Sequence, residues 1–235
     1  MKLTRNEFGH DYTTYRFGYC EYATYEKGDR VADIYEKGFL PYSATPEVTA
    51  KGVFYMARSA RVRLREFEFT SENRRIGKHF DGMFTFRILT IPEAKKDSRI
   101  RALFLEYFRK KHGDIVMPPA RFDAIMDTPL PLRVFIYEKD GELVAAALEV
   151  FGETFGHFWF SAYDLDYVKQ SLGMWLMLDG AQRAKEAGRS HYYIGTVYGA
   201  RALYKTNLRP VEFWDGISWN TNLNLLKKLA RAESK

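Results

Sequence analysis

The sequence predicts an α+β fold, with a mixed central sheet flanked by helices and a small N-terminal subdomain. Three observations lead there. From Leu132 onward, segments with strand and helix periodicity follow one another in the order hairpin, strand, helix, strand, short helix, strand. Aromatic residues make up 16% of the chain, with 18 Phe and 16 Tyr, which favours a β-rich interior lined with rings over a bundle of Leu/Ala helices. Residues 1–52, by contrast, are polar, Tyr-rich and loop-like. The division is drawn at residues 1–80 for the small subdomain and 81–235 for the main domain.

Taken in order, Val31–Phe39 reads as a short helix ended by Gly38, a residue suited to a C-cap. Phe54–Phe69 reads as one strand, with Val62 and Leu64 on one side and Arg61, Arg63 and Arg65 on the other. Its phase changes before Phe67 and Phe69, which implies a bulge or bend. Thr70-Ser71-Glu72-Asn73 caps a helical turn carrying Arg74 and Arg75. Phe84–Leu89 is another strand. A helix follows from about Glu93 to His112, with Ile100, Leu103, Leu105, Tyr107 and Phe108 among its apolar positions, and a shorter one near Ala120–Met126.

Beyond Leu132 the pattern sharpens. Arg133–Glu138 and Glu142–Phe151 are strands joined at Lys139-Asp140-Gly141, a hairpin signal. His157–Tyr163 is a third strand. Leu172–Glu186 is a helix with Met174, Met177, Leu178, Ala181 and Ala184 on one face and Gly188 past its end. His191–Gly195 is a short strand, Ala200–Thr206 a helical turn and Val211–Ile217 a last strand. Asn222–Ala232 is an amphipathic helix that turns Lys227, Lys228 and Arg231 to solvent.

Composition narrows the function classes. At 235 residues, 46% of them apolar, the chain can build a conventional core without staples. A single cysteine, Cys20, excludes an intrachain disulfide and any multi-cysteine zinc or iron–sulfur site, and no metal site is expected. The N-terminus has no apolar signal segment and no stretch is long enough to span a bilayer, so the expected location is the cytoplasm, away from membranes. The net charge of +6 fits a solvated basic surface and equally fits contact with a polyanion, such as tRNA or the phosphates of CoA. The oligomeric state stays open.

The element order is similar to that of the GNAT acyltransferase fold, in which two central parallel strands splay apart and hold an activated acyl donor in the gap. Gln170-Ser171-Leu172-Gly173 lies between a strand and a helix, where GNAT enzymes cradle a pyrophosphate on helix N-terminal amides. Ala202-Leu203-Tyr204-Lys205 resembles the place where many of them carry a tyrosine beside the leaving group. CoA-using members usually have Q/R-x-x-G-x-G/A. Here Trp175 takes the last position, where an indole crowds a diphosphate, and this departs from ordinary acetyl-CoA use.

The same residues resemble the arginyl- and leucyl-tRNA–protein transferases. Ser171-Leu172-Gly173-Met174-Trp175, Ala184–Gly188 and Tyr192-Tyr193-Ile194-Gly195 match that family's SLG-x-W block, A-K-x-x-G helix end and Y-x-Y-L-G-Y run. Ala202–Lys205, Leu208, Pro210 and Glu212 partly match its K-M-x-Y-K-x-x-F-x-P-x-E. Tyr163-Asp164-Leu165-Asp166 looks like Y/F-D-P-D with Leu165 in place of proline, and Tyr107, His112 and Met117 fit a Y…R-H…M segment. Nearer the N-terminus, Phe17-Gly18-Tyr19-Cys20, Gly38-Phe39 and Arg61–Arg75 are similar to C-G-Y-C, G-W/F-R and a segment ending S-x-x-Q-R-R. The matches are collinear over most of the chain. Family members usually add a C-x-x-C pair, used in some for an iron–sulfur cluster. Here Met56, Arg58 and Ser59 stand in that region, so neither a cluster nor another cofactor is expected.

The resemblance implies an aminoacyltransferase that moves arginine or leucine from charged tRNA to the N-terminal α-amine of a protein or peptide. Residues 1–80 would then help to recognise the acceptor and 81–235 would form the catalytic domain. Such a reaction needs an oriented, neutral amine and donors for the carbonyl oxygen. Asp164 is the first candidate to take the amine's proton, with capping of the following loop as its other reading, and Asp166 is a second. Tyr204 is the candidate donor to the leaving ribose oxygen. Tyr163 and Trp175 would stack on the terminal adenine or flank the aminoacyl group. Gln170, Ser171, Leu172 and Gly173 form the donor loop, Lys205 would meet the tRNA 3′ end, and Tyr198 joins the binding set. Arg74 and Arg75 would engage phosphate or an acidic acceptor. His157 and His191 receive no role. Two further readings remain: a CoA-dependent N-acyltransferase, and a non-catalytic descendant that binds tRNA or peptide.

Overall fold

The computed structural model describes residues 1–11 and 16–233. The chain opens with β1 (Lys2–Asp11) and β2 (Arg16–Thr24), then α1 (Val31–Glu36), β3 (Phe39–Pro41), α2 (Pro46–Thr49) and β4 (Val53–Met56). These strands form a four-stranded antiparallel sheet in the order β1-β2-β4-β3. The stretch before residue 52, expected to be loop-like, therefore holds three strands and two short helices. Residues 2–6 of β1 are exposed on both faces, so the strand carries no alternation of apolar and polar residues to reveal it. The Phe17-Gly18-Tyr19-Cys20 run lies in β2. The side chains of Phe17 and Tyr19 are outside the description, and Cys20 is half-buried with a free thiol.

The strand expected over Phe54–Phe69 breaks at Ala57-Arg58. Beyond the break, β5 (Ser59–Arg63) joins a second sheet, and a short 3-10 turn at Leu64–Glu66 replaces the expected bulge. Chain membership thus passes from the small sheet to the large one at residue 59, and β5 is part of the main sheet although it precedes residue 80. Val62 and Leu64 are fully buried as expected. Arg61 is buried too, which the alternating pattern did not predict. Its Nε meets Glu212 at 2.6 Å, its Nη1 meets Glu36 at 2.7 Å and Tyr193 Oη at 3.0 Å, and its guanidinium lies 3.9 Å from the Trp219 ring. Pairing of this kind offsets the cost of burying a cation.

Next come α3 (Ser71–Phe80), capped by Thr70, and β6 (Thr85–Leu89). The helix expected over 93–112 is two helices, α4 (Ile91–Lys96) and α5 (Ser98–His112). Asp97 separates them, and its carboxylate accepts the Arg99 amide at 3.1 Å. The competition of a short polar side chain with the helical ladder starts a new helix there. α6 (Pro119–Met126), β7 (Leu132–Lys139), β8 (Glu142–Phe151), β9 (Phe155–Tyr163), α7 (Leu172–Glu186) and β10 (His191–Thr196) follow, with a 3-10 segment at Leu165–Gln170 and another at Ala200–Asn207. The last expected strand ends at Trp214: β11 (Val211–Trp214) turns at Asp215, whose carboxylate accepts the amides of Ile217 and Ser218, and pairs with β12 (Trp219–Asn220). Finally, α8 (Leu223–Ala232) is capped by Asn222.

The large sheet has the order β12-β11-β5-β10-β9-β8-β7-β6. Its β9–β10 pair is parallel and the other described pairs are antiparallel. The parallel pairing joins His191, Tyr192 and Tyr193 to Phe155, Gly156 and His157, and then stops. Beyond that point β9 continues along β8 as far as Tyr163, while β10 shifts register against β5 between Tyr193 and Thr196. Gly195 takes φ +80° inside that shift, a conformation that suits glycine. The two strands therefore splay, as the fold class requires. α7 packs on β9 and β10, with Leu172, Leu176, Met177, Leu178, Ala181 and Ala184 buried. Gly180 has no room for a side chain, since a Cβ there would lie 1.9 Å from Tyr192 Oη. α5 lies on β8 and β9 through Ile100, Phe104, Tyr107 and Phe108. Tyr35 of α1 ties the N-terminal part to this core, with its ring 4.4 Å from Phe155 and 4.8 Å from Tyr193.

Candidate functional site

Where β9 and β10 diverge, two chambers lie side by side with five lining residues in common. The first, about 340 Å³, lies between the diverging strands and the small sheet, and includes Leu40, Ser43, Tyr55, Arg121, His157, Thr196 and Lys205. The second, about 690 Å³, lies over the N-terminal end of α7 and includes Asn73, Lys111, Tyr163, Ser171, Gly173, Met174 and Arg201. Tyr107, His112, Phe158, Ser161 and Tyr204 line both and form a waist between them.

The helix chamber is built by a tight turn. Ser171 takes φ +67°, which reverses the chain from the 3-10 segment into α7. The first amides of α7 lack intrahelical acceptors, and the helix dipole adds positive potential at that end. A Cβ on Gly173 would lie 2.9 Å from Tyr163 Oη, so glycine lets the tyrosine ring approach the helix start. Lys111 lies 5.9 Å from the centre of that ring. Asn73 is fully buried, and its Oδ1 has no hydrogen-bond partner among the described residues. A buried acceptor without a partner is costly.

The strand chamber is cationic, and among its described lining residues none is an Asp or Glu. Lys205 is half-buried and donates from Nζ to the Thr196 carbonyl at 2.8 Å; burial lowers its ammonium to about 8. His157 is buried, its Nδ1 is 2.8 Å from Tyr35 Oη, and desolvation, aided by the Lys205 charge, lowers it to about 3, so it is neutral. At the waist, burial raises the Tyr107 phenol, with a further contribution from Tyr163, and burial likewise raises Tyr204. These phenols stay protonated and can donate.

The structure brings Tyr163, Ser171 and Gly173 together in the helix chamber, Tyr204 to the waist, and Lys205 into the strand chamber. Other candidates lie elsewhere. Asp164 is exposed, accepts the Asp166 amide at 3.0 Å and opens, with Asp166, onto a separate depression beside Glu106 and Lys110. It caps the 3-10 segment and does not line the cleft, which corrects its expected place beside the reacting amine. Gln170 is exposed outside both linings, and Leu172 is fully buried in the core. Trp175 packs in an aromatic cluster, 5.4 Å from Phe80, 5.5 Å from Phe84 and 5.3 Å from Tyr137, instead of facing a donor. The hydroxyl of Tyr198 accepts the Arg58 amide at 2.9 Å. Arg74 donates to the Phe69 carbonyl, and Arg75 is paired through two nitrogens with Glu72.

Sequence reasoning missed Asn73, Arg121 and His157 as chamber residues. Nothing local marks them: each sits in an ordinary helix or strand and reaches the site only through the packing of distant elements. No group of three or more His, Cys, Asp or Glu side chains that could hold a metal occurs among the described residues, and no helix there is long and apolar enough to cross a membrane.

Residues 70–206 match the acetyltransferase (GNAT) domain family. An aspartate/glutamate leucyltransferase of Cereibacter sphaeroides is 33% identical over 174 residues, which cover 68% of this chain and 60% of that protein. A protein of the same name from Rhizobium leguminosarum bv. trifolii is 29% identical over 176 residues, covering 68% and 67%. The match thus spans 60% of the length of the Cereibacter relative. Among solved structures, FemX shares the fold with a TM-score of 0.52 at 10% identity, covering 74% of this chain and 64% of its own. The chain belongs to the acetyltransferase (GNAT) domain family, and the relatives named above are those to which its sequence is similar.

Proposed function

We propose that this protein transfers leucine from the 3′ ester of charged tRNA to the N-terminal α-amine of a protein or peptide that begins with an acidic residue. Leucine and the acidic acceptor come from the names of the relatives. The observation that carries the reading is the pair of chambers meeting at one waist in the strand splay, one at a helix N-terminus and the other cationic. Two substrates can meet there end to end.

In this reading the terminal adenosine of the tRNA occupies the helix chamber, with phosphate near the first amides of α7 and the side chains of Lys111 and Arg201. Tyr163 offers its ring to the base. The acceptor amine enters through the strand chamber. Because the ester is already activated, the protein supplies alignment and charge stabilisation. Lys205 lowers the cost of the developing oxyanion and, as a nearby cation, favours the neutral amine that attacks. As the C–N bond forms, the C–O bond to the ribose breaks, and the amine gives its proton to the Tyr204 hydroxyl oxygen as that hydroxyl gives its own to the departing oxygen.

The test is incubation of the purified protein with radiolabelled Leu-tRNA or Arg-tRNA and peptides beginning with Asp, Glu, Asn, Gln or Lys. Label on Asp and Glu peptides from Leu-tRNA supports the reading. Label from Arg-tRNA alone moves the donor to arginine. No label from either tRNA, with thermal stabilisation by CoA, refutes aminoacyl transfer.

A further inference from the structure

Arg121 is the second cation of the strand chamber, and the function above does not yet use it. It belongs to α6 and is half-buried, and burial pulls its guanidinium below the usual arginine value. Among the described residues it has no carboxylate partner. It is held instead by neutral acceptors: Nε donates to the Ser43 carbonyl at 2.5 Å, Nη2 to Ser43 Oγ at 3.2 Å, and Nη1 to the Val116 carbonyl. The Phe160 ring lies 5.9 Å from the guanidinium carbon.

The donor count is informative. A guanidinium has five N–H groups, and these contacts occupy one on each nitrogen. One N–H on Nη1 and one on Nη2 remain, and such a pair matches the two oxygens of a carboxylate. Its anchors hold the fork in a fixed orientation, so little freedom is lost when an anion arrives. The chamber around it contains Lys205 and, among the described residues, no acidic side chain, so a negative group would enter a site prepared for charge.

We infer that Arg121, oriented by Ser43, is the specificity residue that binds the side-chain carboxylate of an acidic N-terminal residue in the strand chamber. The inference rests on the proposed transfer reaction for the identity of the acceptor, though not for the chemistry of the fork. The anion could instead be a tRNA phosphate, and the test separates the two sources. The phosphate-binding features lie across the waist at α7, which favours the acceptor carboxylate here. Ser43 comes from the segment after β3, so the N-terminal part of the chain completes the acceptor site.

The experiment compares Asp- and Asn-initiated peptides of otherwise identical sequence. With wild-type protein, kcat/KM should favour Asp by about 100-fold, the scale of a lost charge-assisted pair; in Arg121→Met the ratio should fall to about 1. Ser43→Ala, which frees one end of the fork, should reduce the ratio about threefold to tenfold. A ratio that stays high in Arg121→Met overturns the inference. So does loss of Leu-tRNA binding in that variant with the Asp preference intact, because Arg121 would then serve the donor. Should Arg121→Met fail to fold, binding of the two peptides to wild-type protein without tRNA decides: tighter Asp binding by about tenfold or more supports the fork, and equal binding overturns it. Absence of transfer by wild-type protein to every peptide refutes the proposed function instead, and the tRNA-free binding arm still reads Arg121.

Discussion

Lys205 connects the site to the stability of the fold, and replacing it should make the protein more stable and inactive at once. The ammonium is lowered from 10.5 to about 8 because burial disfavours its charge. At pH 7 that difference corresponds to about 3 kcal/mol of destabilisation. The stem is half-buried, and Lys205→Met leaves the Thr196 carbonyl without its 2.8 Å donor, which returns about 1 kcal/mol. A net gain of about 1–2 kcal/mol is expected for the variant at pH 7. The sign is fixed by the lowered value. Below about 8 both folded and unfolded states carry the proton and the penalty is whole. Between about 8 and 10.5 the folded state gives up its proton first, so wild type gains stability and the two proteins converge. Urea titrations at pH 7 and pH 10 measure this directly, and transfer assays should show a loss of at least about 100-fold in the variant. If the variant is less stable than wild type at pH 7, the lysine is not desolvated. If transfer survives, Lys205 is outside the reaction.

Three further outcomes follow from the same geometry. Acidification from pH 7 to pH 5 should cost wild type about 2 kcal/mol through His157, since the unfolded chain protonates this residue below 6.5 while the folded state resists until about 3; in His157→Gln the urea midpoint should fall correspondingly less with pH. Asp164→Ala should lose about 1 kcal/mol with its capping contact to Asp166 and keep kcat/KM within about twofold of wild type, measured on Asp peptides; a loss of activity with unchanged stability would return Asp164 to the reaction. Gly173→Val should displace Tyr163 and raise KM for Leu-tRNA at least about tenfold with little change in far-ultraviolet circular dichroism, and an unaltered KM would show that the donor binds elsewhere.

Much of the main domain was legible because its elements are half-buried and regular. The hairpin at Asp140-Gly141 and the bounds of Leu172–Glu186 emerge from turn chemistry and periodicity alone. The small sheet was not legible, since residues 2–6 face water on both sides and carry no apolar alternation. The break at Asp97 was readable in principle: Asp followed by Ser is a cap signal, overridden by the apolar pattern on either side. Ser171, Gly173, Tyr163, Tyr204 and Lys205, singled out through motif similarity, line the two chambers, since a motif preserves positions in the chain. Trp175 lies off the main apolar face of α7, a position that favours a site role over the core. A second set of rings, Phe80 from α3 and Phe84 from the loop before β6, covers that face, and no local pattern could announce it. Arg121 and His157 were invisible for the same reason, since their chemistry arises from neighbours distant in sequence.

The absence of a carboxylate from the described lining of the strand chamber fits the proposed reaction better than an acidic base would. A buried Asp or Glu beside the amine would hold it as an ammonium ion, the unreactive form, and would repel an acidic acceptor side chain. Two cations do the reverse: they disfavour the ammonium and attract the side-chain carboxylate. The energetic penalty then falls on the protein, which must enclose Arg121 and Lys205 with only neutral partners. Carbonyls supplied by Ser43, Val116 and Thr196 reduce that penalty without neutralising the charge. Their origins also divide the labour. Acceptor contacts in the proposed reaction come from residues 40–55, α6 and the strand splay, and donor contacts from α3, α5 and the start of α7. In the proposed reaction, acceptor preference can therefore change through the former set while the tRNA end remains bound by the latter.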